Sequence, residues 1–222
     1  EEGYVGLRRG ILQGQYNSWS QGSSCMKVAA SDNIVVFRAS EVAFLRAEGA
    51  LRGWNMGGSP KDLYEAGIRL SFEENNISSG VESYLANTGK VEGYKDPLKG
   101  QSGQTYDYSG SINTAVTVAW AGGDFEKSLE QIITQKWIAN FPNGMESWSE
   151  YRRTGYPKLM PMAANASSGI VDDTEGARRM PYPTDEYREN KESVEAAVLT
   201  LTQESKTKKG DSMATHVWWD CK

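Results

Sequence analysis

The side chains of this 222-residue chain best suited to recognition chemistry are rings set among small polar residues. Tyr94, Tyr106 and Tyr108, with Asp107 between the last two, lie in a stretch rich in Gly, Ser and Asn; Tyr16 and Trp19 lie in another rich in Gly, Gln and Ser. A flat ring beside amides, hydroxyls and a carboxylate can stack on a sugar face while its neighbours bond to the hydroxyls. The same rings could instead pin their own loops to the body of the protein. These six residues form the candidate ligand-binding set.

Other chemistry is poorly supplied. The strings that would mark a nucleophile elbow, a phosphate-cradling loop, a dinucleotide-binding turn or a zinc-protease helix are not in the sequence. Adjacent acids occur at Asp172-Asp173 and Asp185-Glu186, but glycoside cleavage needs two carboxylates facing one groove, and neighbouring acids on loops are ordinarily solvated. No catalytic residue is therefore assigned, and none is assigned to a metal or cofactor: His216, Cys25 and Cys221 are too few and too scattered for a soft-ligand site. Cys25 and Cys221 could pair in an oxidising compartment or remain two thiols. His216 is expected to be structural or exposed. Arg152-Arg153 is read as offsetting a helix dipole rather than as an anion clamp.

Charge argues in the same direction. With 24 basic and 29 acidic residues the net charge is −5, and the basic residues are scattered, so nucleic acid is not an expected partner. No apolar run approaches the roughly 20 residues of a membrane span, and the opening Glu1-Glu2-Gly3-Tyr4 lacks the pattern of an export signal.

The elements that would carry the rings are mostly helical. Ser40 is placed to cap a run from Glu41 to Trp54 whose stripe is Ala43, Ala47, Ala50 and Trp54. Gly57-Gly58-Ser59-Pro60-Lys61-Asp62 then supplies a turn, an N-cap, a proline in the first turn and a capping-box partner for a second helix to about Asn75. That gives a helical hairpin over about 40–76. The second helix is apolar on two sides. Asp124 caps a helix with Phe125, Leu129, Ile132, Ile133, Trp137 and Phe141 on one face, stopped by Pro142, and a shorter helix to Gly155 completes a second hairpin over about 124–154. Between the hairpins lies a loop-rich insert, about 87–123, in which Val116, Val118 and Trp120 alternate like a short strand, as Ile34 to Phe37 also suggest. Met180-Pro181-Tyr182-Pro183 should be extended. A last helix, about 190–202, is capped by Asn190, and the apolar Val217-Trp218-Trp219 should dock. The indoles of Trp54, Trp137 and Trp148 are read as core before ligand platform.

Several of these strings resemble one family in order along nearly the whole chain. They are EVAFLRAEGALRGW (41–54), LYEAGIRLSFEE (63–74), EQIITQKWIA (130–139) leading to WSEYRRTGYP (148–157), RMPYP (179–183) and WWD (218–220). Together they are similar to the SusD/RagB family of nutrient-binding outer-membrane lipoproteins, and they match the C-terminal part of its usual length. The resemblance implies a mainly α fold of tetratricopeptide-like hairpins with long irregular loops and a few short strands, residues 1–222 being the C-terminal portion of a single SusD-like domain. It also implies a non-catalytic, cell-surface glycan-binding protein without cofactor. Its partners would be an oligosaccharide or polysaccharide and a SusC-like TonB-dependent transporter, and its only membrane attachment a lipid anchor in an N-terminal part outside this chain. A peptide-binding or adaptor-like member is the alternative. The matching strings read as scaffold, so the resemblance transfers no ligand residue.

Overall fold

The computed structural model describes residues 6–10, 23–91, 93–96, 106–111 and 114–220. They form seven helices, with β pairing among the described residues limited to the isolated bridges Tyr94–Tyr108 and Asp172–Gly176. The chain divides into two compact units: a helical unit, Lys27–Glu92 with Asn113–Lys158, and a loop-rich unit, Glu1–Met26, Gly93–Ile112 and Leu159–Lys222.

In the helical unit, α1 (Ala39–Leu51) and α2 (Pro60–Glu74) form the first hairpin. Ser59 caps α2 as expected: its hydroxyl accepts from the Asp62 N–H at 3.1 Å and donates to the Asp62 carboxylate at 2.7 Å. Ser40, in contrast, is not the cap of α1. It lies inside the first turn, buried, where its N–H and hydroxyl both donate to the Glu74 carboxylate, at 2.9 and 2.6 Å. The end of α2 thus supplies the acceptor, and the negative charge, for the start of α1. Helix α1 also stops at Leu51 rather than reaching Trp54, because Gly53 takes a left-handed φ of 84°.

The hairpin closes on Phe44, Ala47, Leu63, Tyr64 and Ile68, joined by Ile132 and Ala139 of α4 (Phe125–Ala139). Asp124 caps α4, accepting from the Lys127 N–H at 2.8 Å. Its expected apolar face is buried at Leu129, Ile132 and Ile133 but not at its ends, where Phe125 and Phe141 are exposed. A short helix, α3 (Val81–Leu85), and α5 (Gly144–Thr154), which ends at a left-handed Gly155, complete the unit.

Neither expected strand forms. Ile34 to Phe37 are irregular and exposed. Val116 to Trp120 are held instead by side chains from helices. The fully buried Gln131 donates to the carbonyls of Thr117 and Ala119 at 2.8 and 2.9 Å, and Tyr64 donates to that of Val118 at 2.7 Å. With these carbonyls taken, the segment has no ladder to offer.

The loop-rich unit carries α6 (Thr184–Glu189) and α7 (Lys191–Glu204). Asn190 makes no side-chain cap bond to α7, and the TDEYRE run of α6 carries no apolar stripe to mark it as a helix. The Arg179–Pro183 string is irregular and organised by Asp211, which takes Arg179, the Tyr182 N–H at 3.1 Å and the Tyr187 hydroxyl at 2.7 Å. Trp218 is 90% exposed, so the terminal apolar run does not dock as a whole.

Two stability measurements check this account. Gly67→Ala should raise helix propensity by about 1 kcal/mol, yet its Cβ would stand 2.8 Å from the buried Phe44 ring. We expect net destabilisation of about 1–3 kcal/mol in thermal melts. The second concerns Glu48. Burial pushes its carboxyl up, but hydrogen bonds and charge from Arg153 and Arg52 outweigh this and hold it below the ordinary 4.5. Its stabilisation is therefore full above about pH 4.5 and is lost as pH falls through the lower folded value. The gap in melting temperature between wild type and Glu48→Gln should be widest near neutrality and shrink below pH 4.

Candidate ligand-binding site

Four of the six candidate residues are described, and the fold brings them together in the loop-rich unit; Tyr16 and Trp19 lie outside the described residues. Tyr94 and Tyr108 face each other through two reciprocal N–H to carbonyl bonds of 2.8 Å. Between them the loop is tied by carboxylates: Asp96 accepts from the Tyr106 N–H at 3.2 Å, and Asp107 accepts from the Asp96 N–H at 2.8 Å. Lys95 lies 3.8 Å from the second oxygen of Asp107.

Arg8 fixes this small assembly. Its guanidinium donates to the carbonyls of Tyr106 and Asp107 at 3.2 Å and to that of Pro161 at 3.1 and 3.0 Å. It also sits 4.9 Å from the centre of the Tyr108 ring. The Tyr94 hydroxyl donates to the Gly6 carbonyl at 3.0 Å. Burial, with the nearby Asp96 and Asp107, pushes the Tyr94 phenol above its usual range against the pull of Arg8. It therefore stays a neutral donor at physiological pH.

The rings are not equivalent. Tyr106 is 6% exposed and packs on Leu7 and Ala163, so in this arrangement it anchors its loop and leaves no face for a sugar. Tyr94, Asp107 and Tyr108 are half-buried, and 28% of the Asp107 side chain is open. Half-buried phenol rings beside a carboxylate and a lysine are of a kind that can stack on a flat apolar face and bond to hydroxyls, Arg8 already lying over the Tyr108 ring. Arg8 had no local pattern to betray it: it stands among glycines, and its partners are 98 and 153 residues away.

The remaining sequence candidates fall elsewhere. His216 is buried, its Nε2 2.7 Å from Glu175 and its Nδ1 3.2 Å from Asp220, with Arg178 joining the same group. Asp172 accepts the N–H groups of Thr174 and Glu175 in a turn, and Asp185 pairs with Arg188 on the surface. Neither acid pair is arranged as two carboxylates across a groove. Among the described residues, no group of three or more His, Cys, Asp and Glu could hold a metal ion. Cys25 is a free, exposed thiol, and Cys221 lies outside the described residues. Arg153 makes more than a dipole contact: it forks onto Glu48 at 2.7 and 2.6 Å. Arg152 stacks on Trp148, 3.4 Å from the ring centre. Trp137 and Trp148 are half-buried, whereas Trp54 is 62% exposed and so is not core.

A unit of paired helices and a unit of long irregular loops define a mainly helical protein. A family model described as SusD-like, the SusD and RagB outer membrane lipoproteins, matches residues 1–220, and the chain belongs to this family. It is 89% identical to a SusD homologue of Bacteroides ovatus, with a TM-score of 0.91, over 100% of this chain and 45% of that one. A SusD homologue of Bacteroides thetaiotaomicron is 47% identical, with a TM-score of 0.85, over 100% of this chain and 46% of its own. A structure described as a chitin-binding SusD homologue from Flavobacterium johnsoniae is 44% identical, with a TM-score of 0.70, over 84% of this chain and 36% of its own. The chain thus spans less than half the length of these relatives. No curated protein matches it.

Arg8 gives the site a direct test. Hydrogen bonds from a charged group contribute about 1.5–3 kcal/mol each. Arg8→Ala should therefore speed hydrogen exchange at the Tyr94 and Tyr108 amides by about tenfold or more, leaving the helical unit's amides unchanged.

Proposed function

We propose that the chain is the C-terminal portion of a single SusD-like domain in a non-catalytic, cell-surface glycan-binding protein. The protein captures oligosaccharides and passes them to a SusC-like TonB-dependent transporter in the outer membrane. The observation that carries this reading is family membership over residues 1–220, supported by a 44% identical relative described as chitin-binding. Within the chain, Tyr94 and Tyr108 supply the stacking faces, Asp107 orients hydroxyls, and Tyr106 secures the loop, with Tyr16 and Trp19 contributing further rings. The few contacts suit modest affinity and release to a transporter.

Titration with chitin-, plant-, host- and starch-type oligosaccharides, followed by tryptophan fluorescence and calorimetry, tests the reading. The expected result is saturable binding to at least one class with no product formed. Tyr108→Ala should weaken that binding about tenfold, equivalent to ~1.4 kcal/mol. Turnover of the ligand, or silence from a folded sample across the panel, would overturn it. Transporter hand-over is tested separately by co-purification with the SusC-like protein.

A further inference from the structure

The helical unit holds a concavity lined by side chains suited to recognition. It is a groove of about 450 Å³ whose lining includes Glu48, Gly49, Arg52, Trp54, Glu150 and Arg153. The feature that distinguishes it is an exposed indole on a backbone held by hydrogen bonds. Beyond the end of α1, the Gly53 N–H donates to the Ala50 carbonyl at 3.0 Å and the Trp54 N–H to the Gly49 carbonyl at 2.9 Å. This pair of bonds, with Gly53 left-handed, sets the backbone at Trp54. A Cβ on Gly49 would stand 3.3 Å from Cε3 of the indole, so the ring edge lies close against the helix while the residue stays 62% exposed.

The wall beside the ring is a row of alternating charges. Glu48 accepts from Arg52 at 3.0 and 2.8 Å and from Arg153 at 2.7 and 2.6 Å, and Arg153 reaches Glu150 at 2.6 Å. Two guanidinium groups and two carboxylates leave no net charge in the row. A charged ligand would have to compete with these pairs for either sign. A neutral polyhydroxylated ring need not, because its hydroxyls can accept from the exposed guanidinium N–H groups while Glu48 and Glu150, 7% and 10% exposed, stay paired. Arg52 and Arg153 keep 37% and 35% of their side-chain surface open for that contact. The volume lies within the roughly 300–1,000 Å³ of small-molecule sites.

We propose that Trp54 and the Arg52–Glu48–Arg153 row form a second saccharide contact, one sugar ring stacking on the indole while its hydroxyls bond to the row. The proposal rests on reading the protein as a saccharide binder, and it places a contact in the helical unit in addition to the Tyr94 and Tyr108 loops.

The test uses the 222-residue chain with chitohexaose, cellohexaose and maltohexaose, followed by calorimetry and by the indole N–H signals in ¹⁵N NMR. The Trp54 signal is assigned by its disappearance in Trp54→Phe. For at least one probe, the Trp54 indole signal should move on saturation. Trp54→Ala should weaken binding about tenfold, and Trp54→Tyr, which keeps a stacking ring, should weaken it less. Binding that is unchanged in Trp54→Ala and lost in Tyr108→Ala overturns this proposal and leaves the function standing. A lowered melting temperature in Trp54→Ala with unchanged affinity assigns the ring to packing and also overturns it. No binding of any probe to the folded chain removes both readings together.

Discussion

One side chain constrains the helical unit more than any other. Lys136 of α4 has 1% of its surface open, and its ammonium lies 3.0 Å from Glu150, 3.4 Å from Glu41 and 3.4 Å from Glu146. A charge removed from water to this degree is tolerable only beside opposite charge and hydrogen-bond acceptors, which two other helices must bring. Burial dominates at Glu41 and pushes its carboxyl above 4.5 despite the lysine. The cluster is thus no simple gain in stability. Its effect is geometric: α1, α4 and α5 must hold the relation that keeps the lysine matched, because any other register strands it.

The network continues outward and changes character as it goes. Glu41 and Glu48 are two turns apart on α1, and Glu146 and Glu150 one turn apart on α5, so each helix carries two rungs on one side. From Glu150 the chain of contacts passes to Arg153, then to Glu48, then to Arg52 at the surface. A buried charge inside and an ordered charge row outside are therefore one structure. The fixed orientation of that row beside Trp54 follows from the constraint on Lys136.

The loop-rich unit solves a different problem by different means. Among its described residues β pairing is limited to two isolated bridges, and arginines satisfy carbonyls that neighbouring strands would otherwise take. Arg8 serves Tyr106, Asp107 and Pro161, while Arg9 serves Met160 and Thr174. A guanidinium with five donors can collect carbonyls that point the same way from segments far apart in sequence. Asp211 does the converse, collecting donors around the Arg179–Pro183 string. Irregular backbone can be kept in place this way without a sheet, and rings carried on it can be held half-open.

Features that depend on neighbours within about four residues are encoded locally in the chain. The caps Ser59 and Asp124, the stripe through Leu129, Ile132 and Ile133, the stop before Pro142 and the left-handed Gly155 were all legible, as was the family from the strings they belong to. Concentration of rings in polar loops was legible too. What the tertiary structure decided depends on partners far along the chain. Glu48 meets Arg153 at a separation of 105 residues and Arg8 meets Pro161 at 153, and no period or cap encodes either. The same holds for Ser40, drawn from its expected capping role by Glu74, and for Val116 to Trp120, whose carbonyls Gln131 and Tyr64 take. Identical chemistry at Tyr94, Tyr106 and Tyr108 gave no ground to separate them. Tyr106 turns inward because Leu7 and Ala163 cover it, and that burial exists only once distant segments have been brought together.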